Sequence, residues 1–333
     1  MADKKVRVGL IGVGGIAQAH MNRFGNIPEC EVTAFCDPSE EMRKKAPGRH
    51  ACMANAKAFE NEKDLIKSGL CDAVEINSPH AMHRDQIVAS LNAGLHVLTE
   101  KPIANSVAEI KDIIKAEKKS GKLCSISYQR HFQGDFRLMR RLVVEGAIGK
   151  VIQVCSFLSQ DWFESQTGTW RQKKAISGGG QIHDSGSHIL DMQLWVSGLS
   201  AESVSCLQQN FGREVDINSS VSVMYEGGAI GTITIAGRAP SWCEEFTVFG
   251  EKGALFYRNG EVSQQTYSKE GMITAKFDKL REISNPNRNW IDAILGKAEL
   301  EVRPEIGLRV IQLTEAAWES AAQNGKPVKV KAV

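Results

Sequence analysis

The stretch that decides the fold lies near the start of the chain, where residues 6–17 read VRVGLIGVGGIA. The apolar, β-branched run Val6–Ile11 predicts a strand, and the residues after the glycines have helical potential. Gly12 permits a tight turn, Gly14 lets the backbone approach a pyrophosphate, and Ala17 is small enough for a helix to pack closely on the strand. The pattern therefore predicts a dinucleotide-binding turn. Its cofactor-binding candidates are Gly12, Gly14, Gly15 and Ile16.

A second apolar run, Val32–Cys36, ends in Asp37, about twenty residues past the glycine turn, where such folds recognise the adenosine ribose. A carboxylate at this place can accept hydrogen bonds from both ribose hydroxyls, and it repels a 2′-phosphate. Pro38 and Ser39 offer no adjacent arginine that would reverse this preference. We therefore expect NAD as the cofactor rather than NADP. The alternative is that Asp37 is an ordinary turn residue at a strand end.

The alternation of strand and helix continues through the first half of the chain. Three further strands are predicted at Asp72–Asn77, Leu95–Thr99 and Leu123–Ser127, and helices at Met82–Ala93 and Val107–Lys119. This order predicts a Rossmann-type, doubly wound parallel sheet, which binds its ligands at the carboxyl ends of the strands. The residues expected beside the cofactor are Asn77, Ser78, Pro79, His83, Glu100, Lys101 and Pro102.

Three motifs beyond the glycine turn are more specific. Residues 100–102 read EKP at a strand end, residues 146–150 read GAIGK, and residues 178–191 read GGGQIHDSGSHILD. With these motifs the chain resembles, over nearly its whole length, the Gfo/Idh/MocA family of glucose-fructose oxidoreductase, inositol dehydrogenase and rhizopine catabolism proteins. The resemblance implies an NAD-dependent oxidoreductase with an N-terminal Rossmann domain and a C-terminal open-sheet domain.

The resemblance makes Lys101 the catalytic lysine, close to the nicotinamide ribose and the reacting hydroxyl, and it implies a cis peptide bond before Pro102. An ammonium group beside a hydroxyl stabilises the alkoxide charge that develops as hydride leaves the carbon. The alternative for Lys101 is a solvated side chain paired with Glu100.

Asp184 and His188 are four residues apart, and Asp191 follows three residues later, so all three share one face if Gln181–Trp195 is a helix. His188 suits a general base, because an unperturbed imidazole titrates at about pH 6.5. Asp184 can hydrogen-bond the substrate or orient the imidazole, and the resemblance assigns those roles to these two positions. Two alternatives remain open: a helix-start carboxylate with a merely buried histidine, or a metal site. Hydride transfer to nicotinamide needs no metal.

The second half changes character after a predicted helix at Gly134–Gly146. Its predicted strands are Val151–Phe157, Ser203–Asn210, Ser220–Tyr225, Ile230–Ile235 and Phe246–Phe249, and helices close the chain within 287–324. This pattern predicts a largely antiparallel open sheet. In the family such a sheet covers the cofactor and commonly forms the subunit interface, which implies a homo-oligomer, dimer or tetramer. We place the NAD-binding domain at 1–127 and the substrate-binding and oligomerisation domain at 128–333.

A polar segment with aromatic residues precedes the catalytic motif: residues 160–171 read QDWFESQTGTWR. Indole rings can cover the C–H face of a sugar while polar side chains bind its hydroxyls. The alternatives are that the aromatic residues only pack the loop or a subunit contact, and that Arg171 binds a carboxylate or phosphate. The substrate-binding candidates are Lys101, Arg130, Trp162, Trp170, Arg171, Asp184 and His188, with Tyr128 and His131 as weaker ones.

Composition narrows the class of protein. The 333 residues suffice for about two domains, and a 42% hydrophobic content with a net charge of +2 implies neither a nucleic-acid nor a membrane partner. Eight scattered cysteines without a Cys-x-x-Cys pair indicate a reducing compartment. The start MADKK offers no signal peptide, and no apolar run reaches about 18 residues. We expect a cytoplasmic protein.

These observations favour an NAD-dependent sugar or polyol dehydrogenase with His188 as the general base and with Lys101 and Asp184 assisting. An NAD-dependent glycosidase, which oxidises a ring carbon transiently and then eliminates, would use much the same residues. It releases sugar without net NADH. A non-catalytic NAD-sensing regulator is a third class, against which the intact set Lys101, Asp184 and His188 argues.

Overall fold

The computed structural model describes residues 5–268, 271–277 and 282–331. Residues 1–4, on which the expectation of no signal peptide partly rests, and residues 332–333, the end of the predicted second domain, lie outside the described residues. The chain forms two compact units. The first contains Met1–Ala104, Ala108–Gln129 and Ser284–Gly307, and the second contains Asn105–Val107, Arg130–Ile283 and Leu308–Val333.

The described strands and helices follow in chain order. The strands are β1 Val6–Ile11, β2 Cys30–Cys36, β3 Lys57–Phe59, β4 Ala73–Ile76, β5 His96–Thr99, β6 Cys124–Ile126, β7 Val151–Asp161, β8 Ala201–Gln209, β9 Asn218–Tyr225, β10 Ile230–Ala236, β11 Arg238–Gly250, β12 Gly253–Arg258, β13 Glu261–Ser268, β14 Gly271–Phe277 and β15 Val328–Lys329. The helices are α1 Ala17–Gly25, α2 Glu40–Lys45, α3 Glu62–Lys67, α4 His83–Asn92, α5 Val107–Ser120, α6 Gly134–Val144, α7 Trp162–Ser165, α8 Lys174–Ser177, α9 Gly186–Ser197, α10 Pro286–Ile294 and α11 Pro304–Ala322.

The first unit is built on a six-stranded sheet in the order β3-β2-β1-β4-β5-β6. Every neighbouring pair is parallel, as in β1 with β2 and β4, so the predicted doubly wound Rossmann sheet is confirmed. The three-residue strand β3 was not predicted, because a short segment with exposed residues shows no apolar run. The carboxyl ends of β1, β4 and β5, three neighbours in the sheet, therefore lie along one edge.

The core of the first unit draws residues from both ends of the chain. Helix α1 buries Met21 and Phe24 against the sheet, and Trp290 and Ile291 of α10 join the same cluster with Leu300. The Phe24 and Trp290 ring centroids are 6.5 Å apart. Residues 284–307 thus pack with the nucleotide-binding unit, whereas the sequence-based boundary at 127/128 places them in the second domain. The boundary prediction could not detect this return, since it depends on contacts between distant segments.

The second unit contains a nine-stranded sheet in the order β14-β13-β12-β11-β7-β10-β9-β8-β15. All neighbours are antiparallel except β7 and β10, which run parallel. The predicted largely antiparallel open sheet is therefore confirmed. Strands β12 to β15 were not predicted. In β13 the reason is visible: polar residues such as Gln264 and Gln265 interrupt the apolar alternation that indicates a strand.

The two faces of this sheet differ in polarity. Along β9 and β10, Val221, Val223 and Ile233 are buried, and the residues between them, such as Ser222 and Thr232, are exposed. The buried face packs on α6 and α9 in one apolar cluster. Period-two alternation of this kind is expected where helices cover only one face.

None of the helices in the described part of the chain combines the length and the apolar character that a membrane-spanning helix needs.

Candidate active site

The glycine turn after β1 has the geometry of a phosphate cradle. Gly12 has φ of +86°, and a Cβ there would lie 3.1 Å from the carbonyl carbon of Asn77, so only glycine fits. Its N–H donates to the carbonyl of Cys36 at 2.8 Å. A Cβ on Gly14 or Gly15 would meet nothing within 4 Å. The space beside these two glycines is therefore open to a ligand.

Helix α1 begins beside that space, and its first turn is unblocked. Ile16 precedes the helix, no side chain caps its N–H groups, and no acidic residue lies in its first turn. Free N–H groups at a helix start, together with the helix dipole, attract an anion. The side-chain nitrogen and oxygen of Asn77, at the end of β4, are also buried without a partner in the described chain. These features fit the pyrophosphate and nicotinamide portions of a dinucleotide.

Asp37 is anchored at the end of β2. Its Oδ2 accepts the N–H of Val13 at 3.1 Å, and its Oδ1 accepts the N–H of Ser39 at 2.9 Å. Arg43 on α2 donates to the carbonyl oxygens of Asp37, at 2.8 Å, and of Pro38, at 3.0 Å. Arg43 was not predicted from the sequence, because it is not adjacent to Asp37. The available signal was its spacing: Arg43 lies six residues after Asp37, and the first turn of a helix brings such a residue back beside the strand end.

The side chain of His83 links the segment that follows β4 to the segment that follows β5. The imidazole has no exposed surface, and its two nitrogens lie 2.8 Å from the carbonyl oxygens of Pro102 and Ser78. Burial lowers the pKa of His83. The expectation that His83 contacts the cofactor is therefore corrected: its side chain holds the two strand ends at a fixed separation, and Ser78 and Pro79 are left at the surface of the unit.

Lys101 follows β5 at the same sheet edge. The Lys101–Pro102 peptide is cis, as the family resemblance implies. The Lys101 N–H donates to Glu100 Oε2 at 3.1 Å. Glu100, which we expected beside the cofactor, instead turns its carboxylate inward to His20 at 2.9 Å. Burial acts to raise the pKa of Glu100, but pairing with His20 outweighs it, and the pKa is lowered.

In the second unit, the predicted helix Gln181–Trp195 begins later than expected. Helix α9 starts at Gly186, and residues 181–185 form turns. The carboxylate of Asp216 accepts the N–H of Gly180 at 3.1 Å and of Ile182 at 2.9 Å, and so binds the turn that precedes the helix. Asp184 therefore lies in the turn before α9, two residues before the helix on which the one-face argument with His188 and Asp191 placed it.

Asp184 is nevertheless held in a defined place. Its side chain is nearly buried, and Oδ2 accepts hydrogen bonds from the indole N–H of Trp162 at 3.0 Å and from Arg171 Nε at 3.1 Å. The Arg171 guanidinium lies 4.5 Å from the Trp170 ring centroid. Trp162 is only 1% exposed and packs with Phe163. The expectation that Trp162 stacks on a substrate is thus corrected, because its exposed surface is too small.

His188 lies in the first turn of α9 and is 8% exposed. Asp191, one turn later, accepts from His131 Nε2 at 2.9 Å, and both of these side chains are buried. Asp191 is therefore paired with His131 in the interior of the second unit. Among the described residues, no group of three His, Cys, Asp or Glu side chains is arranged to hold a metal ion.

Arg130, a predicted substrate ligand, is buried. Its guanidinium pairs with Glu244 at 2.8 Å and lies 5.7 Å from the Phe136 ring centroid. Burial lowers the pKa of Arg130. We correct the prediction accordingly, because these contacts turn the charged group into the interior of the second unit.

Comparisons with known proteins cover both halves of the chain. A family model described as the oxidoreductase family with an NAD-binding Rossmann fold matches residues 6–128, and one described as the GFO/IDH/MocA C-terminal domain matches residues 136–256. Myo-inositol 2-dehydrogenase of Thermotoga maritima is 26% identical over 261 residues, 76% of this chain and 75% of that protein. D-glucoside 3-dehydrogenase of Escherichia coli is 23% identical over 343 residues, 96% of this chain and 97% of that protein.

A solved structure of levoglucosan dehydrogenase, in complex with NADH and L-sorbose, has a TM-score of 0.89 at 19% identity. The match covers 99% of this chain and 100% of that chain. At this identity the likeness establishes the fold. The family models establish an NAD-binding domain followed by the C-terminal domain that accompanies it.

Proposed function

Because the chain belongs to the Gfo/Idh/MocA family of NAD-binding oxidoreductases, we propose that it is an NAD-dependent dehydrogenase of a sugar or polyol hydroxyl. The observation that carries the proposal is the edge of the parallel sheet, where the open glycine turn, Asn77 and Lys101 follow the neighbouring strands β1, β4 and β5. The names of the two curated relatives, an inositol and a glucoside dehydrogenase, support the substrate class.

Bound nicotinamide supplies the hydride acceptor. We propose that His188 removes the proton of the substrate hydroxyl and that Lys101 stabilises the alkoxide charge. Asp184, fixed by Trp162 and Arg171, accepts a hydrogen bond from the substrate. Trp170 and Arg171 are partly exposed in the same segment and are the remaining candidates for substrate contact.

The proposal is tested by incubating the protein with NAD and a panel of inositols, hexoses, uronates, methyl glycosides and levoglucosan. We expect one panel compound to give NADH in a one-to-one ratio with the sugar consumed. Sugar release without net NADH would assign the glycosidase. NAD binding without turnover of any compound would assign the regulator.

Asp37→Ala should narrow the preference for NAD over NADP by about 10- to 100-fold, the usual worth of hydrogen bonds to a charged group. The variant removes the ribose acceptor and leaves Arg43 close to the place where a 2′-phosphate would bind. Calorimetric titration with both dinucleotides measures the ratio. Glu40→Ala, an exposed acid three residues away, is the matched control. Equal binding of both dinucleotides by the unmodified protein would contradict the role of Asp37.

Arg171→Ala should lower kcat/KM about tenfold or more and leave the Kd for NAD within about twofold. Two hydrogen bonds to Asp184 are described. The change removes the charged one, from Arg171, and leaves the one from the Trp162 indole. Lys173→Ala, which removes an exposed cation two residues later, is the control. If kcat/KM changes by less than about twofold, Arg171 does not support the substrate site.

We further propose that the chain forms a homo-oligomer, dimer or tetramer, through the uncovered face of the nine-stranded sheet. Cross-strand pairing places Met224 opposite Ile230, and Tyr267 opposite Met272, on the face away from α6 and α9. All four are exposed, Tyr267 by 79%. Apolar side chains on an uncovered sheet favour association.

A cytoplasmic location is a further proposal, which rests on eight cysteines that are all free.

A further inference from the structure

Three ionisable side chains meet inside the first unit, in contact with one another. His20 lies in the first turn of α1, Glu75 lies in β4, and Glu100 follows β5. His20 and Glu75 have no exposed surface, and Glu100 is 8% exposed. Burying charge is costly unless the charges are paired and hydrogen-bonded. A buried carboxylate such as Glu75, in a strand that otherwise reads Ala-Val-Ile, therefore needs an explanation.

The contacts define the protonation state of the histidine. His20 Nε2 lies 2.9 Å from Glu100 Oε1, and Nδ1 faces both the Glu75 carboxylate and Asn287 Oδ1, the latter at 2.9 Å. With both carboxyl groups ionised, both ring nitrogens face acceptors, and an imidazolium donates to both sides. Burial alone would lower the pKa of His20, but the two carboxylates outweigh it and raise the pKa to about 10. Asn287, contributed by α10, is uncharged.

Glu100 connects this ion cluster to the proposed catalytic lysine. One carboxylate oxygen, Oε1, accepts from His20, and the other, Oε2, accepts the backbone N–H of Lys101. The side chain of Ser127 also hydrogen-bonds Glu100. At its other end the cluster begins in α1, the helix whose free N–H groups are proposed to bind pyrophosphate. A single side chain therefore links the phosphate-binding helix to the strand end that carries Lys101.

We propose that His20, as an imidazolium held between Glu75 and Glu100, is a positioning residue for Lys101. The inference rests on the proposed function of Lys101. Without the positive charge, two carboxylates would face each other in the interior, and one of them would take up a proton. A protonated Glu100 is a weaker acceptor for the Lys101 N–H, so the backbone at Lys101 would lose its anchor.

The first test compares His20→Gln with the unmodified protein, using NAD and the panel compound that gives the highest rate. We expect kcat to fall about 10- to 100-fold, with the Kd for NAD within about threefold. The acid limb of the kcat profile, which reports His188 in the unmodified protein, should also move to higher pH in His20→Gln, because protonation of Glu100 then adds a second ionisation. A role limited to folding would lower kcat in proportion to the folded fraction and would leave the acid limb of the folded enzyme where it is. The control is His96→Gln, a half-buried histidine at the start of β5.

A double variant, His20→Gln with Glu75→Gln, removes one charge of each sign. It should return the acid limb toward that of the unmodified protein, because Glu100 no longer faces a second carboxylate. An acid limb that stays displaced would overturn the proposal. So would an unchanged kcat and an unchanged limb in His20→Gln.

A second readout needs neither cofactor nor substrate. The free energy of unfolding of the unmodified protein, minus that of His20→Gln, should be at its largest below about pH 6.5, the ordinary pKa of a histidine. Since the folded-state pKa is raised, this difference should shrink as the pH rises through about 10. A difference that stays constant between pH 6 and pH 10 would overturn the imidazolium assignment. Normal turnover by Lys101→Met would instead overturn the proposed function and leave this readout intact.

Discussion

His188→Ala should lower kcat by about 10² to 10⁴, the usual contribution of a positioned general base. His188 lies in the first turn of α9, just after the turn whose N–H groups at Gly180 and Ile182 bind Asp216. The turnover of the unmodified protein should rise with pH through a single ionisation, because only a neutral imidazole accepts a proton. That limb should flatten in the variant, and NAD should still bind.

Steady-state kinetics over a range of pH, with NAD titrated separately, measures both effects. His96→Gln serves as the control, since it changes a histidine of the nucleotide-binding unit at the start of a strand. Turnover close to that of the unmodified protein, or an acid limb that persists in His188→Ala, would place the base elsewhere. His131 would be a poor substitute, because it is fully buried against Asp191.

Lys101→Met should lower kcat by about 10² to 10³, the usual loss when one donor to a developing oxyanion is removed. Methionine keeps most of the length and the apolar stem of the side chain and removes the charge. The Kd for NAD should change little, because the glycine turn, the start of α1 and Asp37 are untouched. Lys101→Arg should recover only part of the rate, since a planar guanidinium places its donors differently.

Lys111→Met, an exposed lysine of α5, is the matched control for Lys101→Met. Single-turnover measurements separate the hydride step from NADH release. An unchanged single-turnover rate in Lys101→Met would show that the lysine does not act on the reacting hydroxyl.

The first half of the chain was predictable because its signals are local. A positive φ at Gly12, open space beside Gly14 and a carboxylate at the end of β2 follow from residue type and spacing alone. Alternation of apolar runs then predicts the parallel sheet, and the strand ends follow from its topology. The same reasoning predicted Lys101 at the carboxyl end of β5, where the structure has it.

The second unit was less predictable because distant residues decide its site. Asp216 binds the turn before α9, and Trp162 and Arg171 bind Asp184, in each case across more than ten residues of sequence. An indole that looks suited to a sugar is instead a hydrogen-bond donor in the interior. Such contacts leave no mark in periodicity or composition.

The ion cluster around His20 was only partly predictable from the sequence. Its only local signals are polar residues where apolar ones belong: Glu75 within an apolar strand, and His20 on the buried face of α1. These signals indicate that something must pair in the interior. They do not identify the partners, which come from three further segments of the chain.

The proposed function requires that hydride pass directly from a sugar carbon to nicotinamide. The most direct test uses the panel compound with the highest rate, deuterated at its carbon-bound positions, with unlabelled NAD and the unmodified protein. Mass spectrometry of the isolated cofactor should show one deuterium for each NADH formed, with none lost to solvent, and turnover should slow relative to the unlabelled compound if hydride transfer limits the rate. NADH without deuterium would contradict direct hydride transfer. Deuterium that remains in the sugar while a glycosidic bond is broken and no NADH accumulates would contradict a dehydrogenase.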